Sequence, residues 1–407
     1  MNYDESVAWL YGTQLHGIKL GLEVVRRLID ALGIRLDRIK FLHVAGTNGK
    51  GSVCAMLDAI CRAGGKRTGL FTSPHLVTFR ERIRVDGEMI SEEEVARRVS
   101  ELRAITDGWN PEPTFFELTT VLAMGYFQRM GCEVVVFETG MGGRLDATNV
   151  VTPAVSVITP IALDHQQWLG ATLAEIAAEK AGIFKAEVPA VSAPQAEEAA
   201  EVLRQHAREK GTLTLEFVTK PWTETPVNLA GSHQGWHAAL AVHALALAAL
   251  GIHAEAIVQG LRDVQWPGRF QRCGERIVLD GAHNPAAAVR LVETWREIFG
   301  GEQATLILGV LADKDLRAIC AALLPLAARV IAVPVRSPRS CSADEVRAMV
   351  GELAPEIPCD SAQDIASALA EAEAQEERIL VCGSLFLVGE ALASLEAGKV
   401  LPRMTVQ

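Results

Sequence analysis

The sequence is short of several things, and each shortage narrows what the protein can be. Basic residues are outnumbered: 39 Lys and Arg stand against 50 Asp and Glu, a formal net charge of −11. A phosphate backbone needs a basic face, so nucleic acid is not the expected partner, although a local cluster of N–H groups and lysines still accommodates a small anion. No run of about 18 or more apolar residues occurs, so no segment is expected to span a membrane. The opening MNYDESVAWL carries acids where a secretory signal needs a basic and then an apolar stretch, and a cytoplasmic location is expected. The eight cysteines (54, 61, 132, 273, 320, 341, 359 and 382) include no C-x-x-C pair. That spacing offers neither a zinc site nor a disulfide framework, and the cysteines read as small reduced core residues.

What is present is alternation. A chain of 407 residues exceeds one ordinary core, so two domains are expected. Short β-branched runs at 41–45, 68–71, 133–138, 154–159 and 189–192 are separated by helical patterns at 52–63, 91–105, 116–130 and 172–182. Near-continuous apolar strands between helices indicate a mostly parallel sheet with helices on both faces. An alanine-rich helix spans roughly 234–250, and VQWPGRFQRCGER (264–276) then breaks the periodicity. A second alternation follows, with strands near 276–280, 304–310, 329–335 and 378–383 and helices at 285–299, 315–327, 342–353 and 361–375. Ser342 with Glu345 reads as a capping box. The expected fold is α/β in two domains: a P-loop-type sheet over 1–267, a linker at 268–273, and a smaller Rossmann-like domain over 274–407.

The most informative stretch is FLHVAGTNGKGS, 41–52. It misses the common phosphate-loop spacing G-x-x-x-x-G-K-[ST]. Val44 stands where the first glycine belongs, and Gly51 separates Lys50 from Ser52. The context is nevertheless that of a phosphate loop. Glycines at a strand–helix junction let successive N–H groups face one anion, and the helix N-terminus adds its positive end. Lys50 can reach terminal phosphates, and Thr47 or Ser52 offers a hydroxyl near a metal.

With that loop, TSPHL (72–76), ETGMGGRLDATN (138–149), ALDHQQWLG (162–170), EKAGIFK (179–185), GSHQ (231–234), PGRFQ (267–271) and LDGAHNP (279–285) occur in order. Together they resemble the folylpolyglutamate synthase and dihydrofolate synthase branch of the Mur ligase superfamily. The resemblance implies an ATP- and Mg²⁺-dependent ligase adding L-glutamate to folate carboxylates through an acyl phosphate, acting as a monomer. It implies ATP contacts from Thr47, Asn48, Gly49, Lys50, Gly51, Ser52, Arg269, Asp280 and His283. Metal positions fall on Ser73, Glu138 and His165, and Lys50, Lys180 and His165 are the expected catalytic residues. In the family the lysine at position 180 is carbamylated, turning a cation into an anion that supports the metal.

The resemblance places the pterin against Thr114, Phe115, Phe116 and Glu117, and against Arg144, Leu145, Asp146 and Ala147. An ionised Asp146 is acceptor-only and suits the amino and ring N–H groups of a pterin. Arg82 and Arg84 are candidate neighbours of the glutamyl tail. The second domain is expected to close over the nucleotide. Two departures stand out. His237 occupies the place of a family asparagine near adenine. Lys19 replaces an acid associated with members that also make dihydrofolate, which favours glutamate addition over dihydropteroate as substrate. The alternatives are a Mur-type cell-wall ligase, for which residues 1–40 show no uridine-diphosphate pocket, and a nucleotide switch. The latter needs an N-K-x-D guanine reader, and ADKD (312–315) has the wrong order.

Overall fold

The structure is a computed structural model and describes residues 1–16 and 21–396. The chain forms two compact units that are not divided at a single point. The first comprises the described residues up to Pro74, Phe79–Asn228 and Gln234–Gln265. The second takes the chain from Trp266 onward, together with two excursions, His75–Thr78 and Leu229–His233. Leu76 and Val77 pack onto the apolar cluster of the second unit. A linear reading of composition places one junction near 264–276 and has no means of finding these excursions.

The first unit carries, among the described residues, an eight-stranded sheet. Its strands are β1 (Lys40–Ala45), β2 (Thr68–Phe71), β3 (Ile83–Val85), β4 (Glu88–Met89), β5 (Val134–Glu138), β6 (Val155–Ile158), β7 (Ala190–Ser192) and β8 (Leu215–Phe217). The order is β4-β3-β2-β5-β1-β6-β7-β8. The pairs from β2 through β8 are parallel, and only the β2–β3 and β3–β4 pairs are antiparallel. Residues of both parities are buried along the central strands, as a sheet covered on both faces requires. On one face Phe41, Val135 and Phe137 join the cluster of the Phe115–Arg129 helix. The Lys50–Ala63 helix also packs on β1, β2 and β5.

The strand order positions the chemistry. Because β5, β1 and β6 are parallel neighbours, the loops that follow them emerge side by side at one carboxyl edge, the edge where α/β sheets bind ligands. Those loops hold Gly46–Gly49, Thr139–Thr148 and Thr159–His165.

The second unit has a six-stranded sheet among the described residues: β9 (Gln271–Cys273), β10 (Ile277–Leu279), β11 (Ala304–Leu308), β12 (Ala327–Ala332), β13 (Cys359–Ser361) and β14 (Arg378–Cys382). The order is β13-β12-β11-β14-β10-β9, parallel except for β9 with β10. The Ser342–Glu345 capping box forms as expected and opens the Ala343–Leu353 helix. The helix expected over 315–327 stops at Leu323, because Pro325 brings in a 3-10 turn and Ala327 already belongs to β12. All eight cysteines are free, and six of them are buried. Among the described residues no helix is long and apolar enough to cross a membrane.

Candidate active site

The helix after β1 begins at Lys50, two residues before the sequence pattern suggests. Gly51 lies inside its first turn, where an N–H has no intrahelical partner and a glycine is tolerated. Gly49 is the N-cap at φ 84°, a left-handed conformation that favours glycine. A Cβ there would also lie 2.3 Å from His237 Nε2, so the histidine ring packs directly onto the loop. His237 is buried in the His233–Leu247 helix and shares a hydrogen bond between Nδ1 and Gln234 Oε1, at 2.9 Å. The amides of Thr47 and Asn48 donate to the carbonyl of Pro160 at 3.0 and 3.1 Å. Thr47 Oγ1 bonds the backbone of Ala162, so the loops after β1 and β6 are stitched together. Ser52 is buried in the helix.

Two ammonium groups meet at the head of this loop. Lys50 Nζ donates to the carbonyls of Gly46 and Thr47 at 3.1 and 3.2 Å, and Lys180 Nζ donates to the same Gly46 oxygen at 2.7 Å. Lys180 is 3% exposed near the end of the Leu173–Ala181 helix. Burial, followed by the Lys50 charge, lowers its pKa from 10.5 to about 7, against the pull of Asp164 and Asp146. A substantial fraction of this amine is therefore neutral near pH 7.

Glu138 closes β5 and is 3% exposed; the amide of Ser73 donates to its Oε2 at 3.0 Å. His165 has φ 52° and precedes the short Gln166–Leu169 helix. Its amide donates to Asp164 Oδ1 at 2.9 Å, and its Nε2 lies 4.0 Å from Asp164 Oδ2. Asp164 is a further buried carboxylate, whose only signal in the sequence is its place beside His165 in the LDH triplet. Among the described residues no group of three or more His, Cys, Asp and Glu is poised to hold an ion by itself. Mg²⁺ characteristically takes one or two protein carboxylates and completes its shell with phosphate oxygens and waters, and Glu138 is one buried carboxylate at this edge.

The 114–117 segment is more structural than its chemistry suggests. Thr114 and Glu117 form a buried reciprocal capping box on the Phe115–Arg129 helix. Phe115 is core, stacked on Tyr11 at 5.5 Å, with the Arg82 guanidinium 5.2 Å from its ring centre. Phe116 is half-buried against Gly140, where a Cβ would come within 2.5 Å of its ring. Arg82 is 1% exposed, and burial lowers its pKa to about 10 despite Tyr11, Glu81 and Glu138 nearby. Arg84 is half-buried, with Nε 3.4 Å from the Glu81 carbonyl.

Asp146 is buried with its acceptor sites already used. Oδ2 accepts from the amides of Gly140 and Met141 at 2.9 and 3.0 Å, and Oδ1 from Thr148 N and Oγ1 at 3.0 and 2.5 Å. The carboxylate winds the 140–148 loop around itself, so its free acceptor capacity for a pterin is filled by the chain's own donors. Leu145 is half-buried, Ala147 buried, and Arg144 exposed with a bidentate hold on Glu179 Oε1. The expectation on Lys19 lies outside the described residues.

In the second unit Asp280 follows β10, accepting from the amides of Phe270 and Ala282 at 2.8 Å each. Burial raises its pKa, against the neighbouring Arg269 charge. A Cβ on Gly281 would sit 2.5 Å from Arg269 Nη1, so Arg269 and Asp280 flank the same turn. His283 Nδ1 shares a hydrogen bond with the Gly281 carbonyl at 2.8 Å.

Comparison with known proteins gives the same family from several directions. The Mur ligase middle domain matches residues 44–241, and the Mur ligase glutamate ligase domain matches 268–385. A Bacillus subtilis dihydrofolate synthase/folylpolyglutamate synthase is 32% identical over 95% of this chain and 98% of its own length. A Haloferax volcanii protein described as a probable bifunctional folylpolyglutamate synthase/dihydropteroate synthase is 35% identical over 96% of this chain, which spans only 50% of that relative. A Yersinia pestis bifunctional folylpolyglutamate synthase/dihydrofolate synthase, crystallised with AMPPNP and a Mn ion, superposes with a TM-score of 0.86 at 32% identity, covering 97% of this chain and 98% of that one.

Proposed function

The chain belongs to the folylpolyglutamate synthase/dihydrofolate synthase family of the Mur ligase superfamily, and from that premise we propose that it is an ATP-dependent ligase joining L-glutamate to the carboxylate of reduced folates. The observation that carries this reading is the convergence of Lys50 and Lys180 on the Gly46 carbonyl at 3.1 and 2.7 Å, at the head of a helix-capping glycine loop. The Lys50 ammonium at a loop of amides suits a triphosphate and the acyl phosphate made from it, and the Lys180 amine fixes the carbonyl that opens the loop.

The proposed course has two balanced steps. The folate carboxylate attacks the terminal phosphorus of ATP, breaking its bond to the β-phosphate oxygen and releasing ADP. The glutamate amine then attacks the acyl carbon, forms the amide, loses a proton and expels phosphate. In this reading the amides from Gly49 to Ser52 cradle phosphate oxygens, the Thr47 and Asn48 amides hold the loop to Pro160, and Lys50 leaves its backbone carbonyls to neutralise the transferring group. Glu138, His165 and the Ser73 hydroxyl are the proposed holders of a Mg²⁺ ion, which when bound screens the phosphate charge. Arg269, Asp280 and His283 are further proposed ATP contacts. His237, packed on Gly49, is proposed to border the adenine.

Lys180 is proposed to be carbamylated. The support is its pKa of about 7, because only the neutral amine attacks carbon dioxide. Pterin recognition is proposed to rest on Phe116, on the Arg144–Ala147 backbone and on a loop that Asp146 shapes. The protein is proposed to act in the cytoplasm as a monomer.

The test is ADP release by the purified protein across reduced folates and dihydropteroate, with and without L-glutamate. Release that requires both a folate and glutamate is the expected result. Release with a uridine-diphosphate muropeptide and none with any folate would move the assignment to the cell-wall ligases. A rate with dihydropteroate comparable to that with tetrahydrofolate would show both activities in one chain.

A further inference from the structure

Beneath the 140–148 loop runs a buried polar chain that the proposed reaction does not use directly. His43 lies in β1 between the apolar Phe41–Leu42 and Val44–Ala45, and is completely buried. Its Nε2 is 2.8 Å from Thr148 Oγ1, which is 2.5 Å from Asp146 Oδ1. The direction of this chain can be worked out. Burial raises the Asp146 pKa, but three backbone N–H groups, from Gly140, Met141 and Thr148, point at the carboxylate and can be met only by acceptor oxygens. The single Thr148 hydroxyl proton therefore goes to Asp146, and Thr148 must accept from His43. That fixes the imidazole as the Nε2–H tautomer. The remaining nitrogen, Nδ1, is buried without a hydrogen-bond partner, as a bare lone pair. Burial and the Lys185 charge hold the ring neutral, with a pKa lowered to about 3.

The loop at the far end of this chain touches the elements that carry the proposed site. It begins directly after Glu138. Gly140 abuts the Phe116 ring, and a Cβ on Gly142 would come within 2.9 Å of Leu169 in the helix that follows His165. Gly143 lies against the carbonyls of Glu179 and Lys180, 2.9–3.0 Å from where its Cβ would stand. The near end is tied to the strand leading into the phosphate loop, since His43 is three residues before Gly46. A neutral, directionally fixed hydrogen-bond chain thus couples the nucleotide strand to the loop against which the acceptor side is packed.

We propose that His43 and Thr148 are positioning residues for phosphoryl transfer: they hold the Asp146-centred loop in register with the phosphate loop, so that acceptor and nucleotide meet in line. This rests on the ligase reading above. Positioning and simple core filling by a buried histidine separate experimentally. Thr148→Val removes the hydroxyl at nearly constant shape, Thr148→Ser retains it, and His43→Leu removes the donor.

Steady-state ADP release is measured for these variants and for the His43→Leu/Thr148→Val pair, with thermal unfolding of each. Both single variants are expected to lose kcat by about 10–100-fold, the range seen when an orienting outer-shell partner is removed. The KM for ATP should stay within about twofold, Thr148→Ser should restore kcat, and the double variant should fall no further than the worse single one. A folded Thr148→Val enzyme with wild-type kcat, or losses that multiply in the double variant, would overturn the proposal. If His43→Leu does not fold, Thr148→Val and Thr148→Ser still decide it. Absence of ADP release from the wild type with every folate would sink the ligase reading instead. The coupling is then read from amide hydrogen exchange at Gly140 and Met141, expected to quicken in Thr148→Val and not in Thr148→Ser; unchanged exchange in Thr148→Val overturns it.

Discussion

The buried amine of Lys180 donates to the Gly46 carbonyl at 2.7 Å, and in doing so it joins the helix Leu173–Ala181 to the first residue of the glycine loop. Lys50 reaches the same oxygen, so two like charges are held close with one backbone carbonyl between them. Neither arrangement is an obvious way to stabilise a fold. Desolvating an ammonium is costly, and the second cation adds repulsion. Burial and that repulsion are what lower the Lys180 pKa.

That lowering has a pH signature. The folded pKa of Lys180 is lowered to about 7 from 10.5, so between those values the unfolded chain holds more protons than the folded one. Stability from this group therefore rises with pH across that window, and its cost is fully present below about pH 7. In metal-free buffer stripped of carbon dioxide, wild type should gain stability relative to Lys180→Met as pH goes from 7 to 9.5. Denaturant midpoints that run parallel for the two proteins would show that the amine is not desolvated as described.

Glu138 offers a sharper functional test. Its carboxylate is buried, held by the Ser73 amide, and proposed to hold the metal. Glu138→Gln keeps the size and removes the charge, and should reduce turnover by more than the roughly 10–100-fold of an outer-shell change. His165→Ala should do likewise. Added Mg²⁺ or Mn²⁺ should restore neither. Near-wild-type rates at saturating Mg²⁺ would remove both residues from the metal site.

Asp146 predicts a stability effect where sequence alone suggests only a binding one. Four donors converge on its two oxygens, so an amide in its place must turn an NH₂ toward at least one N–H group. Each buried group left unsatisfied costs about 1–3 kcal/mol. Asp146→Asn should lower the unfolding free energy by at least that amount, measured by urea titration. An unchanged midpoint would mean that the loop tolerates losing its centre.

These cases show which parts of the molecule can be read from the chain. β2 falls on 68–71 as its apolar run indicates, and the Pro285–Phe299 helix follows Asn284 as a capping side chain, because both signals are local. The glycine loop is equally local. His43 is not, since its meaning comes from Thr148, 105 residues away. Asp146 is visible as a carboxylate, but its four donors are visible only once the loop is folded. The excursion of His75–Thr78 into the second unit depends on packing between Leu76 and residues beyond position 260, which no periodicity encodes. Phe115 falls in the segment that the resemblance sets against the pterin, and it packs in the core, stacked on Tyr11.

The last prediction concerns Gly49 and His237. Gly49 is constrained twice, by φ 84° and by the histidine Nε2 that would lie 2.3 Å from any Cβ. Gly49→Ala should therefore weaken ATP binding through backbone strain, on the order of 1 kcal/mol or more, and through the clash with the ring. His237→Ala makes room for the methyl group without changing φ. If the clash matters, Gly49→Ala should cost less affinity in the His237→Ala background than in the wild type, a positive coupling in a double-mutant cycle read by ATP titration. His237→Ala alone should weaken ATP binding as well, if the ring borders the adenine as proposed, while GTP binding changes differently. Strictly additive losses would mean that the imidazole and the loop are neighbours without mechanical consequence. Unaltered ATP affinity in His237→Ala would remove the histidine from the nucleotide site, and the loop would then bind ATP by its backbone and Lys50 alone.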